Sequence, residues 1–107
     1  MAFGITRAEL AAWKAKVRQG EVSLLTHFWL HPRYPNIKTV TKAGCADLNA
    51  LLTWGEPYGL ERKHLHLRNE FPHFDLIGDK QGEILAREGL WDQIIRFRIQ
   101  VQTDKQS

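Results

Sequence analysis

The stretch 64–89, HLHLRNEFPHFDLIGDKQGEILAREG, holds three of the chain's five histidines together with Asp75 and Lys80. Read as two short strands and a helix, it puts chemistry on defined faces, because residues i and i+2 of a strand point the same way. His64 and His66 share one face, and His73 and Asp75 share another. Phe74 and Leu76, between them in parity, go to the core. An imidazole beside a carboxylate is the pairing that general acid–base chemistry uses, and it can also supply two ligands to a metal. Gly78 and Asp79 form the turn into the helix, with Asp79 as its cap. Lys80 then occupies the first helical position, where the dipole disfavours a cation by ~0.3–1 kcal/mol. There it would neutralise an anionic group. A purely structural reading stands beside this one. In it, Asp75 caps the turn or accepts backbone N–H groups, and His73 is half-exposed beside Pro72.

Other residues extend the set. His27 interrupts an apolar run, VSLLTHFWL, and with His64 and His66 it could add nitrogen ligands. The spacing is no recognised metal signature, HExxH and paired CxxC motifs are absent, and no metal is assigned. GxGxxG and GxxxxGK[ST] are absent too. Gly78-Asp79-Lys80 could still hold a phosphate on free N–H groups at a helix start. Cys45, near a helix N-terminus, could form a thiolate with His27 or His66 as base, or pack as a small hydrophobe. Trp29 and Tyr34 lie near a loop with His31, Arg33, Lys38 and Lys42. Interleaved aromatic and basic side chains can stack bases and hold phosphates. A loop merely stiffened by Pro32 and Pro35 is the plainer alternative. Trp13, Trp54 and Trp91 fall on helical stripes and read as core.

The elements that must position these groups follow from pattern. Thr6 and Glu9 have capping-box spacing and Ile5 can staple onto Leu10, so a helix spans 7–18, ended by Gly20. Residues 21–30 are apolar on both parities, which suits a central strand covered on both sides. Prolines 32 and 35 make a loop, and residues 37–41 add a short extended segment. A helix begins around 44–46 near Asp47 and ends near Gly55, before Pro57 and Gly59. The strands around Leu65 and Phe74 come next, then a helix over 80–88; segment 90–101 fits a helical stripe or alternates like a strand, and a helix to about Arg98 is favoured because Asp92 and Arg96/Arg98 complement its dipole. The order α-β-α-β-β-α-α argues for a small α/β layered fold: one domain over 1–101, a short sheet with helices packed on it, and a polar tail over 102–107. Its first two strands are expected to be parallel, joined by a crossover helix.

Composition bounds the function. The 107 residues carry a formal charge of +3, with 15 basic against 12 acidic residues. That balance is compatible with a phosphate-bearing partner but well below the density of a dedicated DNA binder. One cysteine excludes an intramolecular disulfide. With no signal-peptide pattern and no long apolar run, a cytoplasmic protein without a membrane partner is expected.

The segments LTHFWLHPRYPNIKTVTKAGCADL, HLRNEFPHFDLIGDKQ and EGLWDQ resemble the YneQ-like group of short bacterial proteins across nearly the whole chain. The pattern is also similar to a wider bacterial and phage domain family of unknown function. Its elements match His27, Asp47-Leu48, Pro72-His73-Phe74-Asp75 and Lys80, although the 30–42 loop is longer here. The resemblance implies the fold and assigns no activity or cofactor.

Two functions are therefore expected from the residues. The first is binding of a nucleotide or nucleic acid, with Arg33, Lys38, Lys42, Lys80, Trp29 and Tyr34 as ligand-binding candidates. The second is a small hydrolase or transferase using His27, His66, His73 and Asp75, with or without a divalent metal. Both require one polar cleft lined by His27, His66, His73, Asp75 and Lys80.

Overall fold

Thr6 and Glu9 close a reciprocal capping box that starts α1 (Arg7–Arg18). The computed structural model describes residues 4–67 and 71–101, so the tail over 102–107 lies outside the described residues. After α1 come β1 (Ser23–Phe28), β2 (Thr39–Gly44), α2 (Leu48–Gly55), β3 (Leu65–His66), β4 (His73–Leu76), α3 (Gly78–Arg87) and α4 (Trp91–Phe97). Short 3-10 turns, Glu56–Tyr58 and Arg62–His64, link α2 to β3. The class is α/β, with a four-stranded sheet in the order β1-β2-β4-β3.

All three pairings are antiparallel, which overturns the expected parallel first pair. The segment expected over 37–41 is a full strand at 39–44, and the 29–38 loop returns the chain directly beside β1. No crossover helix intervenes, so the order becomes α-β-β-α-β-β-α-α. β1 is thereby an edge strand rather than a central one. Its two apolar parities have a different cause: Leu25 packs on Trp13 and Val17, whereas Leu24 packs against the cluster around Leu51, Phe74 and Ile84. Helices on both faces leave the same trace in sequence as neighbouring strands would.

The register sorts the side chains into two faces. Leu24, Thr26, Thr41, Ala43, Phe74 and Leu76 point to the larger core; Phe74 and Leu76 are buried, as their parity requires. Burying a side chain of that size stabilises by roughly 1.5–3 kcal/mol. A polar string crosses this core. Gln81 Nε2 donates to Thr41 Oγ1 (2.9 Å), whose hydroxyl lies 2.6 Å from Thr26 Oγ1, and Thr39 Oγ1 donates to Gln81 Oε1 (3.1 Å). A buried glutamine with both ends bonded fixes the position of α3 against the sheet. At the sheet edge, Gln93 Nε2 of α4 donates to the Leu24 carbonyl (3.1 Å).

The opposite face is covered only in part. α1 lies over Leu25 and Gly44, where Trp13 also donates its indole N–H to the Ser23 carbonyl (2.8 Å). The remaining positions of that face carry the candidate chemistry. Two helix expectations also change. Asp47 caps α2 through the Ala50 N–H (3.2 Å), so that helix starts at Leu48. Asp79 does not cap α3, whose N-cap is Ile77 with no side-chain bond. Trp91, expected in the core, is 51% exposed, because the seven-residue α4 turns Ile94 and Phe97 inward instead.

Candidate functional site

The two halves of β4 and its neighbours assemble a carboxylate ringed by nitrogen. Across β2–β4 Lys42 pairs with Asp75, and across β3–β4 His66 pairs with His73. Period-two alternation puts these four side chains on one face. Asp75 Oδ1 lies 3.6 Å from His73 Nε2 and 3.7 Å from Lys42 Nζ, and Asp75 Oδ2 lies 3.4 Å from His66 Nε2. The two imidazoles face each other with centroids 5.4 Å apart and planes 16° from parallel. The carboxylate is about one third exposed, at 32%, whereas the His73 side chain is at 6%.

His73 is oriented by its own turn: Nδ1 lies 3.0 Å from the Phe71 carbonyl, which can only accept, so Nδ1 carries the proton. Its Nε2 is then a bare lone pair turned towards Asp75. Burial, the dominant effect, pushes this imidazole below its ordinary pKa. His27 shows the same arrangement. Its Nδ1 donates to the Phe28 carbonyl (2.9 Å), burial depresses its pKa, and Nε2 has no partner among the described residues. Opposite Val40 on β1, His27 shares the face, with Lys42 and Asp75 both acting on it electrostatically. It stands two strands from Asp75 and two residues out of line with it, about 12 Å by strand spacing and rise, and so lies at the rim of the group.

The hairpin loop continues the same side of the sheet. Trp29 donates its N–H to the Lys38 carbonyl (2.8 Å), which extends the β1–β2 register by one pair and puts Trp29 in line with His27. His31 Nδ1 accepts from the N–H groups of Arg33 (3.0 Å) and Tyr34 (3.1 Å), and this fixes the turn. The His31 ring sits 5.0 Å from Trp29 and 4.9 Å from Tyr34, and Tyr34 is half-exposed at 51%. The loop is therefore an ordered aromatic row with Arg33 and Lys38 at its exposed rim. His31's part in it was missed from sequence; its signal is an acceptor placed two and three residues before the N–H groups it binds.

Three expected members are elsewhere. Lys80 is not in the group: its Nζ donates to the Tyr58 carbonyl (2.7 Å), on the side of the sheet where α3 packs. Lys42, expected with the basic loop, stands beside Asp75 where Lys80 was expected. His64 sits in a 3-10 turn with Nδ1 accepting the Glu61 N–H (3.0 Å), so it does not share a strand face with His66. Cys45 is fully buried, and burial pushes its thiol up, which opposes a thiolate nucleophile. Among the described residues no group of three or more His, Cys, Asp or Glu side chains is placed to hold a metal ion.

The chain is 54% identical to the uncharacterized protein YneQ of Bacillus subtilis (strain 168) over 99 residues, which are 92% of this chain and 100% of that one. It belongs to the YneQ family. No family model matches the chain, and no solved structure matches it. Membership of the YneQ family agrees with the resemblance carried by segments 25–48, 66–81 and 88–93, whereas the likeness to a wider family finds no matching family model. Among the described residues no helix is long and apolar enough to cross a membrane.

Proposed function

We propose that this YneQ family member is a binding module for a phosphate-bearing ligand, a nucleotide or a single-stranded nucleic acid, held on the α1 side of the sheet where Lys42, Asp75 and His66 reach solvent. The observation carrying this reading is the alignment of two features on one face. Lys42 and two imidazoles surround Asp75, and on the same face the Trp29–His31–Tyr34 row, with Arg33 and Lys38, begins four residues further along β1 than the level of Asp75, about 16 Å away by strand spacing and rise. Half-exposed aromatic rings offer stacking surfaces worth about 1–3 kcal/mol per base, and the cations offer phosphate contacts. A buried free thiol at Cys45 suits a reducing cytoplasm.

The test is binding of a labelled single-stranded oligonucleotide and of mononucleotides at two salt concentrations. With Lys42, Lys38 and Arg33 as three phosphate contacts, oligonucleotide affinity should fall about 20-fold from 50 to 200 mM salt. Lys42→Met and Tyr34→Ala should each weaken binding without changing the melting temperature. Salt-independent binding, or binding indifferent to both substitutions, refutes the reading.

A second reading has one observation in its favour: the bare Nε2 of His73 beside a carboxylate is the form a general base takes. A hydrolase or transferase built on His73, Asp75, His66 and His27 should lose turnover on phosphoester or acyl substrates in His73→Gln. Absence of turnover across such substrates leaves binding as the function.

A further inference from the structure

Asp75 is held loosely for a residue with three partners. Its oxygens lie 3.4, 3.6 and 3.7 Å from His66, His73 and Lys42. Charge-assisted N–H···O bonds are shorter, at about 2.7–2.9 Å. The carboxylate therefore sits as a counter-ion inside a ring of nitrogen, not locked to any one of them. With both imidazoles neutral the ring sums to zero, Lys42 against Asp75, and offers an anion little. Each proton added to His66 or His73 adds one positive charge at the same spot.

Resting on the phosphate-binding reading, we propose that the ligand is the phosphodiester backbone of a single-stranded nucleic acid, and that its binding is linked to protonation of His66 and His73, with Lys42 transferred from Asp75 to the phosphate. The burial of His73 is what makes the linkage strong. In the free protein burial disfavours a charge on this ring, Asp75 and the Phe71 carbonyl offset that only in part, and Lys42 and His66 add to it. An anion held by Lys42 beside Asp75 adds negative charge near the two imidazoles and occupies the lysine that opposes their protonation, so ligand and proton favour one another equally. Among the described residues, Arg18 of α1, whose guanidinium lies 5.6 Å from the Phe71 ring, and the more distant His27 of β1 are further charged or titratable groups on that side. The diester is favoured over a terminal phosphate by the aromatic row, which offers successive stacking surfaces to a chain of bases. A diester also keeps its charge unchanged between pH 5.5 and 8, so any pH dependence belongs to the protein.

Binding of a labelled oligothymidylate to the full chain, measured from pH 8 to 5.5 at constant ionic strength, tests this. Affinity should tighten about fivefold or more between pH 7.5 and 6, since one linked proton gives at most about tenfold per pH unit. His66→Asn, at an exposed position, should remove part of the slope, and His66→Asn/His73→Asn should flatten it. Asp75→Asn should tighten binding at pH 7.5 by removing the competing carboxylate. In proton NMR the His73 titration midpoint should move up on saturation with the oligonucleotide. Affinity that is flat with pH yet salt-sensitive and lost in Lys42→Met overturns this inference while the phosphate-binding reading stands. A full slope retained in His66→Asn with an unmoved His73 midpoint also overturns it. No binding at any pH overturns both.

Discussion

His73 Nε2 faces Asp75 Oδ1 at 3.6 Å from two residues away on the same strand, while the other nitrogen of its ring is fixed to the Phe71 carbonyl. Asp75 is thus a partner of side chains and not a cap: the N-cap of α3 is Ile77. Asp75→Asn should therefore avoid the ~0.5–2 kcal/mol that follows loss of a helix cap. A cost under about 1 kcal/mol is expected, the range of partly exposed ion pairs. The same substitution should lower the His73 titration midpoint in the free protein, since Asp75 holds it up. Urea denaturation and histidine NMR check the two parts, and a loss above 2 kcal/mol contradicts the assignment.

Lys42 and Lys80 should separate cleanly. Lys80 donates to the Tyr58 carbonyl and ties α3 to the turn after α2. Lys80→Met should cost about 0.5–1.5 kcal/mol, the net worth of one hydrogen bond, and leave nucleic-acid binding unchanged. Lys42→Met should do the reverse. Equal effects of the two on binding would return Lys80 to the site.

Acid should weaken the fold early. Burial holds both His27 and His73 below their ordinary value of 6.5. The unfolded chain then binds more protons as pH falls through 6.5, so the stability these groups contribute is complete above that pH and is lost below it. Denaturant midpoints at pH 7.5, 6.5 and 5.5 should decline in that order. His27→Asn/His73→Asn should show a shallower decline, and a wild-type midpoint constant over this range contradicts the prediction.

Gly44 is where α1 meets the sheet. A Cβ there would lie 2.8 Å from Trp13 Cζ2 and 3.5 Å from Val17 Cγ2. Gly44→Ala should cost ~1–3 kcal/mol as overpacking does, read by urea denaturation. A change within about 0.5 kcal/mol would mean that α1 shifts freely.

The helices were legible because their signals are local. The Thr6–Glu9 box, Asp47 and the positions of Gly55 and Gly89 each act within one turn, and the structure departs from them by only a few residues. Strand topology was not legible, because pairing is a long-range property and a run such as 21–30 records burial without recording what buries it. On the site, parity alone placed His73 with Asp75 and Phe74 in the core. Register was needed to bring His66 and Lys42 to Asp75. Lys80 misled, since its unfavourable place at a helix start is offset by a carbonyl 22 residues away in sequence.

The bonding pattern of β1 bears on whether another chain can add to the edge of this sheet. Trp29 bonds to Lys38, so the odd-numbered residues of β1 bond to β2 while Leu24, Thr26 and Phe28 present their backbone groups to the open edge. Two of those three carbonyls are already engaged: Leu24 by Gln93 and Phe28 by the His27 ring. An edge strand with free carbonyls is a template for a neighbouring chain to add to the sheet. Here the imidazole that looked like a catalytic oddity in an apolar run also closes one rung of that template. Protonation leaves its Nδ1–H in place, so the guard holds in acid, whereas a residue lacking that donor would open the edge to strand addition between molecules.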